Sequence, residues 1–253
     1  MIFDLQKASL TKRLSAYILD FFIVVLLAVG FMVLMYDIVD YDSKANELTS
    51  YHVEYEEKYG IDSKLSKDEI AQLPKAEQDK YTAAEVEWQA DERVRNVYSD
   101  LINLILLNTV ISLFLAYMIC EFIVPLVLKN GQTVGKKVFN IAIMRVDGVK
   151  VSPLQLFVRG VIGKFTIETI IPMLLATMVL MQIMPAVALV VLLLLLLLQI
   201  AVMIISKTNS AIHDLLAVTV AVDLESQRIF ESEAAMLEYK LKLAADKAAE
   251  APY

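Results

Sequence analysis

The sequence predicts an all-α membrane protein: four transmembrane helices with an extracytoplasmic helical insert and a small cytoplasmic β element. Three observations predict it. Of 253 residues, 58% are hydrophobic and mean hydropathy is +0.59, against roughly 45–50% apolar usage in soluble domains. The apolar residues gather into runs long enough, at about 1.5 Å per residue, to cross a hydrocarbon core of about 30 Å. The charges also separate along the chain, so the net charge of -7 hides one acidic segment and one basic segment.

The N-terminal lead, residues 1–13, carries Lys7, Lys12 and Arg13, and positive charge beside a first span predicts a cytoplasmic N-terminus. Residues 14–36 form the first span, in which Asp20 is the only fully charged side chain. An ionised carboxylate at the centre of a bilayer costs about 2.5–3.5 kcal/mol on insertion scales, so Asp20 is expected to face protein or water and to have a partner. Arg13, seven residues earlier, shares its helix face about 10 Å away along the axis and is the nearest candidate. The apolar run is too long for a signal-peptide core, and no small-x-small cleavage site follows it.

Residues 37–100 hold 17 acidic against 8 basic side chains and contain no spanning run. They are expected to form an acidic, helical, extracytoplasmic insert. Ser66 and Glu69 make a capping box, and Pro74 suits the first turn of a further helix. From Lys75 no Gly or Pro occurs before Pro125, so one helix is able to run from the insert into the second span, residues 101–128. His52, Trp88 and the tyrosines of the insert are read as packing residues. In the second span Asn103, Asn108 and Ser112 suit helix–helix hydrogen bonding, and Ser112 with Ala116 gives a small-xxx-small spacing. Glu121 has two readings: a carboxylate snorkelling toward the basic end at Lys129, or a second acid beside Asp20. Cys120 is the only cysteine, so no intrachain disulfide is possible.

Residues 129–164 reverse the charge, with Lys129, Lys136, Lys137, Arg145, Lys150, Arg159 and Lys164 against the single acid Asp147. This predicts a cytoplasmic loop. Its alternating segment around Asp147-Gly148 reads as a hairpin. After a Ser152 cap and Pro153, LQLFVRGVIGKF reads as an amphipathic helix lying in the interface. GQTVGKK, residues 131–137, fails as a phosphate loop: it is one residue short and has Lys137 where the magnesium-binding Ser or Thr belongs. Residues 165–205 are too long for one span, and the turn near Gln182 to Pro185 divides them into spans 165–184 and 186–206. Glu168 reads either as an i,i+4 partner of Lys164 or as a group used in transport.

The chain then returns to the basic side at Lys207, and residues 207–253 are expected to be cytoplasmic. Residues 217–223 alternate like a strand able to pair with the hairpin of the basic loop. That pairing would bring Asp214 to the inner mouth of the bundle, near the head of the first helix. Arg13 would then pair with Asp214, or form a cluster that includes Asp20. His213-Asp214 has the look of a metal-binding pair, but the second of the two histidines lies in the insert, so no metal, other cofactor or nucleic acid is expected. The Ala-, Lys- and Glu-rich tail reads as a solvated helix.

KRLSAYILD with Arg13 and Asp20, GQTVGKK followed by IAIMRVDG, and HDLLAVT with Asp214 together resemble the RDD family of membrane proteins. The resemblance covers about 7–36 and 115–223, and the 37–100 insert departs from it. It implies that Arg13, Asp20 and Asp214 are signature residues, and that the protein is either a transporter of the sodium/proton antiport kind or a subunit of a membrane assembly. Two functions therefore stand. One is a monovalent cation/proton antiporter in the bacterial inner membrane, with Asp20 titrating and Glu121 or Glu168 as relays, and oligomeric because four spans give little wall for a pathway. The other is a non-transporting scaffold or regulatory subunit. No nucleophile–base pair or metal-ligand set points to an enzyme.

Overall fold

The computed structural model describes residues 5–206 and 208–250, with side chains described to residue 246. The basic end expected at Lys207, residues 1–4 of the lead and the last three residues of the tail lie outside the described residues. Among the described residues, four helices are long and apolar enough to cross a membrane: Leu10–Tyr36, Glu92–Val127, Pro153–Leu180 and Pro185–Ile205. The described residues fall into two compact units, residues 30–112 and residues 1–29 with 113–253.

The unit 30–112 contains helices Tyr41–Tyr59, Lys67–Ala71 and Lys75–Ala90. The capping box expected at Ser66 and Glu69 is present, and the helix after Pro74 starts at Lys75. An aromatic cluster joins the two longer helices: Trp88 stacks on His52 at 4.3 Å and meets Tyr55 edge-on at 5.1 Å. The helix from Lys75 does not run on into the second long helix. Asp91 is extended between them, because its carboxylate accepts the Arg93 N–H at 2.8 Å and starts a new helix. Arg93 and, to a lesser extent, Tyr55 bind the same carboxylate, and these donors hold its pKa down at about 2. Asn108 donates to the Met32 carbonyl at 3.2 Å, the helix-to-helix bond expected of it.

In the other unit, strands β1 (Ile141–Arg145) and β2 (Thr219–Asp223) pair antiparallel, with Ile143 opposite Ala221. A two-stranded sheet is marginal in water, and this one is covered on both faces. Ile141 and Ile143 pack with Ala8 and Ala16, while Ala142, Met144, Val220 and Val222 pack with Leu5, Leu224 and Ile229. The N-terminal lead extends the sheet: the Ala8 N–H donates to the Ala221 carbonyl and the Asp223 N–H to the Gln6 carbonyl. The hairpin expected around Asp147-Gly148 is reduced to one bridge between Met144 and Lys150. Val149 instead bridges to Phe230, leaving β2 as the main partner of β1.

The third long helix begins at Pro153, behind a Ser152–Gln155 capping box. The stretch read as a separate interfacial helix is therefore continuous with it. Residues Val158–Ile170 of this helix, and Met118–Ile123 of the second, wind as wide π-turns. The last two long helices join through Gln182 and Met184, both in the left-handed region at φ 58° and 48°, and Pro185 starts the fourth.

Candidate functional site

The fold buries a network of charged side chains within the unit that holds the sheet. Asp20 is 5% exposed, and its partners come from the loop segment GQTVGKK. Thr133 caps the short helix Val134–Val138, and its hydroxyl donates to Asp20 Oδ2 at 2.5 Å while the Gly135 N–H donates to Oδ1 at 2.7 Å. The loop thus uses helix-start N–H chemistry on an anion, and the anion is the protein's own carboxylate. Gly135 permits this approach, since a Cβ there would fall 2.9 Å from the Asp20 carboxyl carbon and closer still to the Ala16 carbonyl oxygen.

Lys136 lies at the centre. Its Nζ donates to Thr133 Oγ1 at 3.0 Å and stands 3.6 Å from Asp20 Oδ2 and 4.0 Å from Glu121 Oε2. Burial lowers the Lys136 pKa to about 8, against the opposing pull of Glu121 and Asp20. Glu121 also accepts a short bond from Lys164. Glu121 is buried, so it does not snorkel; it is a second acid near Asp20 with an ammonium between the two.

A second cluster adjoins the first. Arg159 pairs with Asp214 through Nη1, which also donates to Thr219 Oγ1 at 3.1 Å. Arg159 Nη2 lies 3.2 Å from His213 Nε2, and His213 Nδ1 lies 2.8 Å from Glu168 Oε2. Burial, then the Arg159 charge, push the His213 pKa down to about 4. A neutral ring protonated on Nδ1 satisfies both neighbours: it donates to Glu168 and accepts from Arg159. Gly163 lies against this histidine, where a Cβ would meet the His213 Cα at 2.8 Å.

Of the residues expected at the site, Asp20, Glu121, Glu168 and Asp214 all enter this network. Arg13 takes a different place. Its guanidinium donates to the carbonyls of Asn209 at 2.9 Å and Ala221 at 2.6 Å, and among the described residues it forms no ion pair. It ties the head of the first helix to β2 and to the turn before the helix Ile212–Leu216. Thr133, Gly135, Lys136, Arg159, Lys164 and His213 also belong to the network, and the sequence alone does not mark them as site residues. Thr133→Val removes the hydroxyl on Asp20 at nearly constant volume, and is expected to lower stability by about 1–3 kcal/mol. Thermal unfolding in detergent checks this, with Thr133→Ser expected to stay near wild type.

Four membrane-length helices, a buried ionic network and a small sheet covered on both faces define an α-helical integral membrane protein. The chain belongs to the RDD family, whose family model matches residues 7–218. No curated protein and no solved structure shows a significant match.

Proposed function

We propose that this protein is a small membrane transporter that exchanges a monovalent cation for a proton. One observation carries the reading: the Lys136 ammonium stands between the carboxylates of Asp20 and Glu121. Loss of its proton leaves those two carboxylates facing each other with less compensation, and a cation then takes the place of the proton. One positive charge replaces another, so the exchange is electroneutral. A void of about 30 Å³, lined by Asp20, Glu121, Lys164 and Thr169 together with Phe21 and Val24, adjoins these carboxylates and has room for a water or a bare ion. Glu168 and His213 serve as the relay beside it. On this reading both termini lie on the cytoplasmic side of a bacterial inner membrane, which the charge of the basic loop supports, and the working unit is an oligomer.

The second reading is a non-transporting subunit of a membrane complex. It is favoured by the fact that each buried acid of the network already faces a base, an arrangement that also serves to lock helix packing.

Flux in liposomes with an internal pH dye separates the two. For wild type, pulses of sodium, potassium or lithium are expected to alkalinise the interior. Because cation competes with the proton on Lys136, apparent cation affinity should rise about tenfold per pH unit up to pH about 8 and level off above it. Asp20→Asn should reduce the response at least about tenfold, and Lys136→Met should abolish the pH step. A folded wild type with no response in several lipids removes the exchanger reading and leaves the structural one.

A further inference from the structure

A cavity of about 620 Å³ lies in the unit that holds the sheet, within the range of about 300–1,000 Å³ usual for ligand pockets. Its two ends differ in chemistry. At one end Arg13, Lys136, Arg159 and Lys164 line it against only two acids, Glu168 and Asp214. The carboxylates of Asp20 and Glu121, which complete the balance of the network, do not line this cavity. Arg13 is the outlier, because among the described residues only carbonyl oxygens meet its guanidinium and its buried Nε has no hydrogen-bond partner. His213, also on the wall, adds no negative charge.

The other end is apolar. Its wall on the fourth long helix runs from Met203 to Leu192, a rise of about 16 Å, which is close to one leaflet of a hydrocarbon core of about 30 Å. Leu14 and Leu196, on different helices, both line the cavity and are 56% and 57% exposed, so the cavity opens sideways where these helices meet lipid. A cationic head region, an apolar trough of single-leaflet depth and a lateral opening match one class of ligand.

We propose that this cavity is a binding site for an anionic phospholipid. The phosphate headgroup lies against Arg13, and one acyl chain runs along Leu196 toward Leu192. Basic pockets between membrane helices select anionic headgroups by charge, and the apolar trough excludes free phosphate as a sufficient ligand. The headgroup contact uses the Arg13 guanidinium, which the Asp20–Lys136–Glu121 network leaves aside, although Lys136 and Lys164 of that network also line the cavity.

Native mass spectrometry of the full chain in delipidating detergent tests it, with phosphatidylglycerol and phosphatidylcholine offered in equal amounts. Wild type is expected to retain one phosphatidylglycerol with at least about tenfold preference, as charge-selective recognition requires. Arg13→Gln should bring the two lipids close to equal occupancy. Because Arg13 also holds backbone carbonyls and its variant risks misfolding, Leu196→Trp provides the second test: it fills the trough from a lipid-exposed position and should abolish lipid retention at an unchanged unfolding temperature. Equal retention of the two lipids by wild type, or wild-type retention by Leu196→Trp, overturns the proposal. So does a thermal shift with inorganic phosphate alone that matches phosphatidylglycerol, or a dimer that Leu196→Trp dissociates while lipid occupancy stays unchanged.

Discussion

Gly135→Ala is expected to lower stability by at least about 3 kcal/mol, combining overpacking of about 1–3 kcal/mol with weakened hydrogen bonds to a buried carboxylate. The added methyl has nowhere to go: the Ala16 carbonyl and the Asp20 carboxyl group already occupy its space. Either the first helix moves away from the short helix Val134–Val138, or Asp20 turns from the Gly135 N–H. In both cases a carboxylate that is 5% exposed loses a donor in a place where water does not replace it. At about 2–4 °C per kcal/mol for a chain of this size, the unfolding midpoint should fall by about 6–12 °C in detergent. Gly30→Ala is the matched control, because a Cβ there meets nothing within 4 Å and helix propensity favours alanine. Equal midpoints for the two variants would remove the close approach at Gly135 as a structural requirement.

That contact also shows how much of the site can be read from the sequence. A lone acid in an apolar run is conspicuous, so Asp20 stands out at once. Its partners do not, because they lie 113 and 115 residues away in a segment whose glycines and lysines resemble a failed phosphate loop. The segment does aim a backbone N–H at an anion, as a phosphate loop does, but the anion is Asp20. Arg13 invites pairing with Asp20 because seven residues is nearly two helical turns. The structure spends that guanidinium on carbonyls at the end of the bundle, a class of acceptor with no signature in sequence. Strand β2 is legible from alternation, and so is its pairing with the basic loop. The start of the third long helix is not, since Arg159 and Lys164 look like interfacial charges until Asp214 and Glu121 compensate them.

The π-turns explain a second departure. An i,i+4 pairing of Lys164 with Glu168 assumes ordinary α-helical winding, but the Ile171 N–H donates to the carbonyl five residues back, that of Thr166, and the Thr166 and Thr169 hydroxyls likewise donate to the carbonyls of Val161 and Lys164. Wider winding shifts which side chains share a face. Lys164 then meets Glu121 on the second long helix, while Glu168 meets His213. Gly160 completes the approach of the two π-wound stretches, where a Cβ would fall 2.7 Å from the Glu121 carbonyl oxygen. Local winding therefore selects which charges meet, and periodicity drawn from an α-helix misassigns them.

Those meetings predict the largest loss of stability from removal of a single charge. Asp20, Glu121, Lys136 and Lys164 form a set of zero net charge, and Glu121→Gln leaves it with one excess positive charge buried between helices. Breaking a buried pair by removing one partner typically costs about 3–5 kcal/mol, because the remaining charge is stranded. Lys164→Met strands Glu121 in the opposite sense and should lose a comparable amount. The double variant returns the set to zero, with Lys136 still beside Asp20 at 3.6 Å, so its loss should be smaller than the sum of the single losses by about 0.5–3 kcal/mol. Unfolding midpoints of the four proteins in one detergent give this coupling directly. Additive losses would mean that the two side chains act separately and that the network is not a unit. A double variant near wild type in stability would show that the ion pair is dispensable for folding, and its flux in liposomes would then reveal whether the charges are kept for exchange.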